Sequence, residues 1–165
     1  MAVRSAPTTS QKAYHVALVG NPNSGKTTLF NALTGLRQKV ANYPGVTVEK
    51  RTGICPTGDV AFEISDLPGT YSLIPRSPDE AVASEWLAGT GADGPPQAIV
   101  CVVDVTNLSR HLYLVSQIID LGHPVAVALT MGDEARRLGL SVDAEKLAQR
   151  LGVKVVEVVA SQHKG

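Results

Sequence analysis

Only two cysteines, Cys55 and Cys101, occur among the 165 residues, and nothing in their spacing matches a metal-binding pair. Cys101 lies inside an apolar stretch and is expected to be a reduced core residue. Cys55 is expected at the surface, and a cytoplasmic setting follows from the scarcity of cysteine. There is no excess of either charge: 15 Lys and Arg face 15 Asp and Glu, and the pI is about 6.9. Neither a nucleic-acid surface nor a disordered acidic tail fits that balance. No run of ~20 apolar residues exists, so nothing in the sequence would span a bilayer as a helix. Met1 to Lys12 is polar and lacks the apolar centre of a secretory signal. Residues 1–13 are therefore expected to form a disordered leader. The four histidines, His15, His111, His123 and His163, are scattered without ligand spacing. There is no internal repeat. With 44% apolar residues, what remains is enough for one domain with a real core, over residues 14–165.

What is present is led by Gly20-Asn21-Pro22-Asn23-Ser24-Gly25-Lys26-Thr27, the G-x-x-x-x-G-K-[ST] phosphate loop. The apolar Val16-Ala17-Leu18-Val19 precedes it as a buried strand, and an apolar helical pattern from Thr28 to Leu33 follows, closed by Gly35. Gly20 and Gly25 let the backbone turn its N–H groups inward on phosphate oxygens. The positive end of the helix faces the same anion. Lys26 brings a point charge to the β- and γ-phosphates, and the Thr27 hydroxyl can ligate Mg²⁺.

Along the rest of the chain, Thr34 to Pro44 reads as a loop. Val46 to Ile54 and Val60 to Ser65 alternate as an antiparallel hairpin around Pro56-Thr57-Gly58-Asp59. Ser77-Pro78-Asp79-Glu80 starts a helix with an N-cap, a first-position proline and first-turn acids; Val82, Trp86 and Leu87 should face inward. Ala98 to Val103 and Val125 to Leu129 are buried strands, and Val153 to Val159 is the last strand. Helices are expected over Leu108 to Leu121, with Leu112, Val115 and Ile119 inward, and over Asp133 to Leu138 and Ala144 to Leu151. Arg110, near the start of the first of these, is expected to be solvated and far from phosphate. This is an α/β pattern: a mostly parallel six-stranded sheet with one antiparallel edge strand and helices on both faces. Asp66, Asp104 and Thr130 fall at strand ends beside the phosphate loop, where such folds bind ligands.

Four further patches lie in that rim: Pro44-Gly45-Val46-Thr47, Asp66-Leu67-Pro68-Gly69, Thr130-Met131-Gly132-Asp133 and Ser161-Gln162-His163-Lys164-Gly165. With the phosphate loop they resemble the five motifs of a TRAFAC-class, Ras-like P-loop GTPase. Gly20 to Thr27, Asn42 to Lys50 and Asp66 to Leu73 are similar to the cytosolic G domain of the FeoB ferrous iron transporters. The resemblance implies that Asn21, Asn23, Ser24, Gly25, Lys26, Thr27 and Thr28 surround the phosphates of GTP or GDP. It implies that Thr47, with Gly45 and Val46 beside it, closes onto Mg²⁺ and the γ-phosphate. Asp66 would hold Mg²⁺ through a water, and the Gly69 N–H would meet the γ-phosphate. Thr70 stands where many small GTPases carry a water-orienting glutamine. The resemblance supplies K⁺ instead, ligated by Asn23, to neutralise charge at the β–γ bridge. The residues alone equally allow Asn23 to stabilise the loop by a hydrogen bond.

Two positions depart from the family pattern. Thr130 replaces the asparagine of the base-reading motif and cannot present a two-sided amide, while Asp133 can still accept from guanine N1–H and its amine. Ser161-Gln162 replaces Ser-Ala, leaving the Gln162 N–H to reach guanine O6. Met131 completes the base-binding set. The implied function is a GTP-binding, slowly hydrolysing switch that regulates ferrous iron transport. It would be a fragment of a larger protein, carried on the cytoplasmic face of the cell membrane by a permease portion. The alternatives are a P-loop NTPase of relaxed base specificity and a non-hydrolysing nucleotide-dependent adaptor.

Overall fold

The computed structural model describes residues 13–35, 38–91 and 94–165. The expected leader lies outside them except for Ala13, which opens the first strand. In chain order the elements are β1 (Ala13–Gly20), α1 (Lys26–Thr34), β2 (Gln38–Asn42), β3 (Glu49–Thr57), β4 (Val60–Asp66), α2 (Pro78–Leu87), β5 (Ala98–Asp104), α3 (Leu108–Asp120), β6 (Val125–Thr130), α4 (Gly132–Arg137), α5 (Ala144–Leu151) and β7 (Lys154–Glu157). They build one sheet in the order β2-β3-β4-β1-β5-β6-β7. The pairs β4–β1, β1–β5, β5–β6 and β6–β7 are parallel, whereas β3 runs against both of its neighbours.

The expected α/β architecture is present with a seventh strand. β2 occupies a segment read from sequence as loop. Its residues are almost all exposed, so no apolar alternation marks it; its pairing with Glu49–Gly53 alone defines it. The expected antiparallel edge is present as two strands, β3 with β2 outside it. β3 begins at Glu49, which leaves Val46 and Thr47 in the preceding turn rather than in the strand.

The central strands are buried on both faces, as unalternating apolar runs require. Ala17, Val19, Ile99, Cys101, Val103, Val127 and Leu129 pack with α2, α3 and α5 on one side. Leu18, Val102 and Ala128 pack with Leu29 and Phe30 of α1 on the other. Each fully buried Leu, Ile or Phe contributes roughly 1.5–3 kcal/mol. Burial pushes the Cys101 thiol up to about 12, consistent with a reduced core residue, while Cys55 is half-buried.

α2 forms as its cap predicts. Ser77 Oγ accepts from the Glu80 N–H at 3.2 Å, and Val82, Trp86 and Leu87 are buried. α3 is turned relative to expectation: its buried residues are His111, Leu114, Val115 and Ile118, with Leu112 and Ile119 only half-buried. A buried histidine causes the difference. Its Nδ1 lies 3.4 Å from the Asp104 N–H as acceptor, so a polar side chain occupies a place that an apolar pattern assigns to the surface.

Candidate functional site

The loop between β1 and α1 is shaped by close backbone approaches. A Cβ on Gly20 would sit 2.7 Å from the Val102 carbonyl and 2.9 Å from Ser24 Oγ, so only glycine fits. Asn23 (φ 62°) and Gly25 (φ 84°) are both left-handed, which turns successive N–H groups to one side. Gly25 caps α1 without a side-chain hydrogen bond, and the first turn of α1 holds no acid. The free N–H groups and positive pole of that helix therefore remain available to an anion.

The segment after β4 is laid alongside this loop by backbone bonds. The Leu67 N–H donates to the Leu18 carbonyl at 3.0 Å, and the Thr70 N–H donates to the Gly20 carbonyl at 3.2 Å. A Cβ on Gly69 would come within 3.2 Å of the Pro22 nitrogen, so the two backbones touch. Lys26 Nζ forms an ion pair with Asp66 Oδ1, with side-chain exposures of 11% and 7%. A cleft of about 490 Å³ opens here, lined by the loop from Asn21 to Asn23, Gly25 to Thr28, Gly69 and Met131. A smaller, mainly apolar cleft of about 240 Å³ between α4 and β7 has no glycine loop and no such ion pair, and we place the chemistry in the larger one.

The residues present suit a phosphate with a hard cation. Asn21 is 1% exposed, yet among the described residues neither its Oδ1 nor its Nδ2 has a hydrogen-bond partner, and Ser24 Oγ is likewise unpaired there. Buried polar groups are rarely left so, and these orphans flank the phosphate cleft. The Thr27 hydroxyl and the Asp66 carboxylate are oxygen donors of the kind Mg²⁺ takes. Asn23 lines the cleft, and its side-chain amide includes a neutral carbonyl oxygen of the kind K⁺ takes. Its left-handed backbone gives asparagine a second reason to stand there, since that conformation strains most other side chains.

Not all expected site residues meet at the cleft. Gly45, Val46 and Thr47 are exposed in a turn held by Tyr43, whose N–H donates to Val48 O at 2.9 Å and whose carbonyl accepts from Val46 N–H at 3.3 Å. None of the three lines the cleft. Asp133 is exposed in the first turn of α4, and Ser161 and Gln162 are exposed in a short turn at Ala160–Gln162. Thr70, expected where a glutamine would act, is fully buried, and its hydroxyl donates to Ser72 O at 2.7 Å rather than facing the cleft.

Thr130 is engaged with the phosphate loop. It is 5% exposed, and its Oγ1 lies 2.6 Å from the Ser24 carbonyl and 3.2 Å from the Val103 carbonyl. A hydroxyl has one hydrogen, so none is left for an acceptor on a base. The side chain ties the end of β6 to the loop between β1 and α1.

Three features were not foreseen. Pro22 lines the cleft and seats Gly69. Arg110 is exposed, but its guanidinium carbon lies 4.3 Å from the centroid of the Tyr71 ring. Gln117 Oε1 accepts from the Leu73 N–H at 2.9 Å. Near these, burial holds His111 below its ordinary value, with the Asp104 carboxylate opposing the shift and the Arg110 charge adding to it.

The family described as Ferrous iron transport protein B matches residues 14–165. The Fe(2+) transporter FeoB of Legionella pneumophila is 48% identical over 155 residues, which is 92% of this chain and 20% of that protein. The chain thus spans about a fifth of the length of such relatives. The crystal structure of the G domain of the T. maritima FeoB iron transporter aligns with a TM-score of 0.84 at 39% identity, covering 93% of this chain and 92% of that one. A mutant of S. thermophilus NFeoB bound to GDP aligns at 0.82 and 46% identity, covering 90% of this chain and 57% of the other. Among the described residues no helix is long and apolar enough to cross a membrane.

Proposed function

The chain belongs to the Ferrous iron transport protein B family, and from that premise we propose that it is a guanine-nucleotide switch that hydrolyses GTP and serves a larger ferrous iron transporter. The observation that carries this reading is the cleft in which the uncapped α1 N-terminus and Lys26 meet Gly69, with Asp66 paired to Lys26 behind it. Lys26 binds the β- and γ-phosphate oxygens, which leaves the Asp66 carboxylate and the Thr27 hydroxyl as the groups that would hold Mg²⁺. When bound, that cation neutralises charge developing on the phosphoryl oxygens. The backbone N–H groups of Asn23, Gly25 and Thr28 hold the remaining phosphate oxygens, and the Asn21 and Ser24 side chains complete the loop's polar set. Gly69 presents its N–H to the γ-phosphate. Asn23 would offer its carbonyl oxygen to K⁺, together with backbone oxygens around Gly45 and Val46 once that turn moves in. Thr47 would then be placed to hold Mg²⁺ beside the γ-phosphate. This closure is the switch: Gly45, Val46 and Thr47 are exposed and do not line the cleft, while Tyr43 at the start of the turn stays buried in the core as its pivot.

Asp133 selects guanine, with Met131 and the turn at Ser161 and Gln162 bordering the base, while Thr130 braces the loop behind it; the Gln162 N–H donates to the Val159 carbonyl at 2.9 Å and would reach guanine O6 only once that turn opens. The GDP of the related S. thermophilus structure supports guanine as the base. In the complete transporter the nucleotide state would be passed to a membrane permease portion from its cytoplasmic side. The test is phosphate release from GTP by the parent and by Lys26→Ala, with dissociation constants for GDP, GTP and ATP. The parent should release phosphate and favour guanine, and Lys26→Ala should lose nucleotide binding. A Lys26→Ala protein that binds GDP like the parent would remove the central assignment.

A further inference from the structure

We propose that Arg110 and Gln117 of α3 are positioning residues for GTP hydrolysis, acting as a clamp on the segment that carries Gly69. The proposal rests on the GTPase reading above. On its upstream side this segment is fixed to the phosphate loop by the Thr70 N–H to Gly20 carbonyl bond at 3.2 Å. Beyond Thr70 the chain has no regular structure until α2, and Tyr71 and Ile74 are 41% and 65% exposed. Leu73 packs against the core, but Tyr71 and Ile74 lie outside it, and motion in this irregular stretch would be passed to Gly69.

α3 supplies the second anchor. The Arg110 guanidinium lies 4.3 Å from the centre of the Tyr71 ring, within the range of a cation–π contact. The Leu73 N–H donates to Gln117 Oε1 at 2.9 Å, and Gln117 Nε2 lies 3.4 Å from the Tyr113 hydroxyl, which steadies the carboxamide. The Leu73 carbonyl accepts from Ser84 Oγ of α2 at 2.5 Å. Arg110 and Gln117 are two helical turns apart and so share one face of α3. That helix is seated in the core by Leu114, Val115 and Ile118, so its exposed face is a rigid ruler. Gly69 and Thr70 are therefore held between two fixed points, the phosphate loop and α3. Neither α3 residue lines the cleft. Their effect is on the alignment of the Gly69 N–H when charge develops on the γ-phosphate, not on ground-state binding.

The test is single-turnover and steady-state GTP hydrolysis alongside GDP affinity. Arg110→Gln should lower kcat by about two- to fivefold, the scale of an exposed cation–π contact. Gln117→Ala should lower it by about two- to tenfold, the scale of a lost hydrogen bond. KM and GDP affinity should stay near the parent's. Arg110→Lys, which keeps a cation over the ring, should recover most of the loss. In a Tyr71→Leu background, Arg110→Gln should have little further effect, because the partner is already gone. A parental kcat in Arg110→Gln, or an equal loss with and without the tyrosine ring, would overturn the clamp. If the parent itself releases no phosphate, the GTPase reading falls, and hydrogen exchange at the Leu73 amide decides the clamp separately. Faster exchange in Gln117→Ala supports the anchoring; unchanged exchange refutes it.

Discussion

Replacing Thr130 with valine removes one hydroxyl and almost no volume, so the substitution isolates a hydrogen bond. In the parent that hydroxyl is buried at 5% exposure, 2.6 Å from the Ser24 carbonyl and 3.2 Å from the Val103 carbonyl. The valine would face both carbonyls with a methyl group. Leaving a buried acceptor unpaired costs ~1–3 kcal/mol. For a domain of this size each kcal/mol moves Tm by ~2–4 °C. Thr130→Val should therefore melt ~2–12 °C below the parent. Ser24 lies within the phosphate loop, so GDP affinity should fall as well, because the loop is no longer held in its binding shape. Thr130→Ser keeps the hydroxyl and loses one methyl, which costs ~0.8 kcal/mol, and should keep most of the GDP affinity. Scanning calorimetry at fixed nucleotide concentration and titration with a fluorescent GDP analogue measure both effects. A valine variant that melts and binds like the parent would show that the contact holds nothing. A serine variant as damaged as the valine one would assign the effect to the methyl.

GTP turnover should be faster in K⁺ than in Na⁺, and Asn23→Ala should abolish the difference; equal rates in the two salts with the parent would remove K⁺ from the proposal. Asp133→Ala should erase the preference for GDP over ADP while leaving ADP affinity little changed, since the carboxylate has no pair of donors to meet on adenine; a retained preference would show that the base is read elsewhere. His111 has a folded pKa below its ordinary 6.5, mainly through burial. The unfolded chain therefore takes up the proton first, and this residue contributes no penalty above that value but a growing one as pH falls below it toward the folded pKa. Tm should drop more steeply between pH 7 and pH 5.5 in the parent than in His111→Asn, and identical slopes would refute the assignment.

The parts of the fold that were legible are those where a local pattern has a single physical solution. The phosphate loop fixes its own strand and helix, and Ser77-Pro78 announces α2 because N-cap chemistry is local. The doubly buried strands β1, β5 and β6 are read from unbroken apolar runs. β2 was not legible because an edge strand with polar, exposed residues buries nothing that periodicity can register. The facing of α3 was misjudged because His111 is buried through its ring contact with the end of β5, which no helical pattern encodes. The site follows the same division. Lys26 pairs with Asp66, and Thr27 lines the cleft beside Lys26, whereas the place of Thr47 depends on how a turn packs. Tyr71 and Arg110 are far apart in sequence, and only the packing of α3 against the segment after β4 brings them face to face.

Trp86 is the only tryptophan in the chain. It is 2% exposed in α2, and the His15 ring meets it edge-on, with centroids 5.0 Å apart and planes at 85°. α2 follows directly on the segment anchored through Gly69 and Leu73, and Ser84 ties it to that segment. The domain consequently carries its own optical gauge. A displacement of α2 changes the polarity around the sole indole and its distance from an imidazole whose protonated form quenches emission. Nucleotide exchange, cation exchange and the α3 variants can all be followed by the colour and lifetime of one native fluorophore, with no label placed near the site.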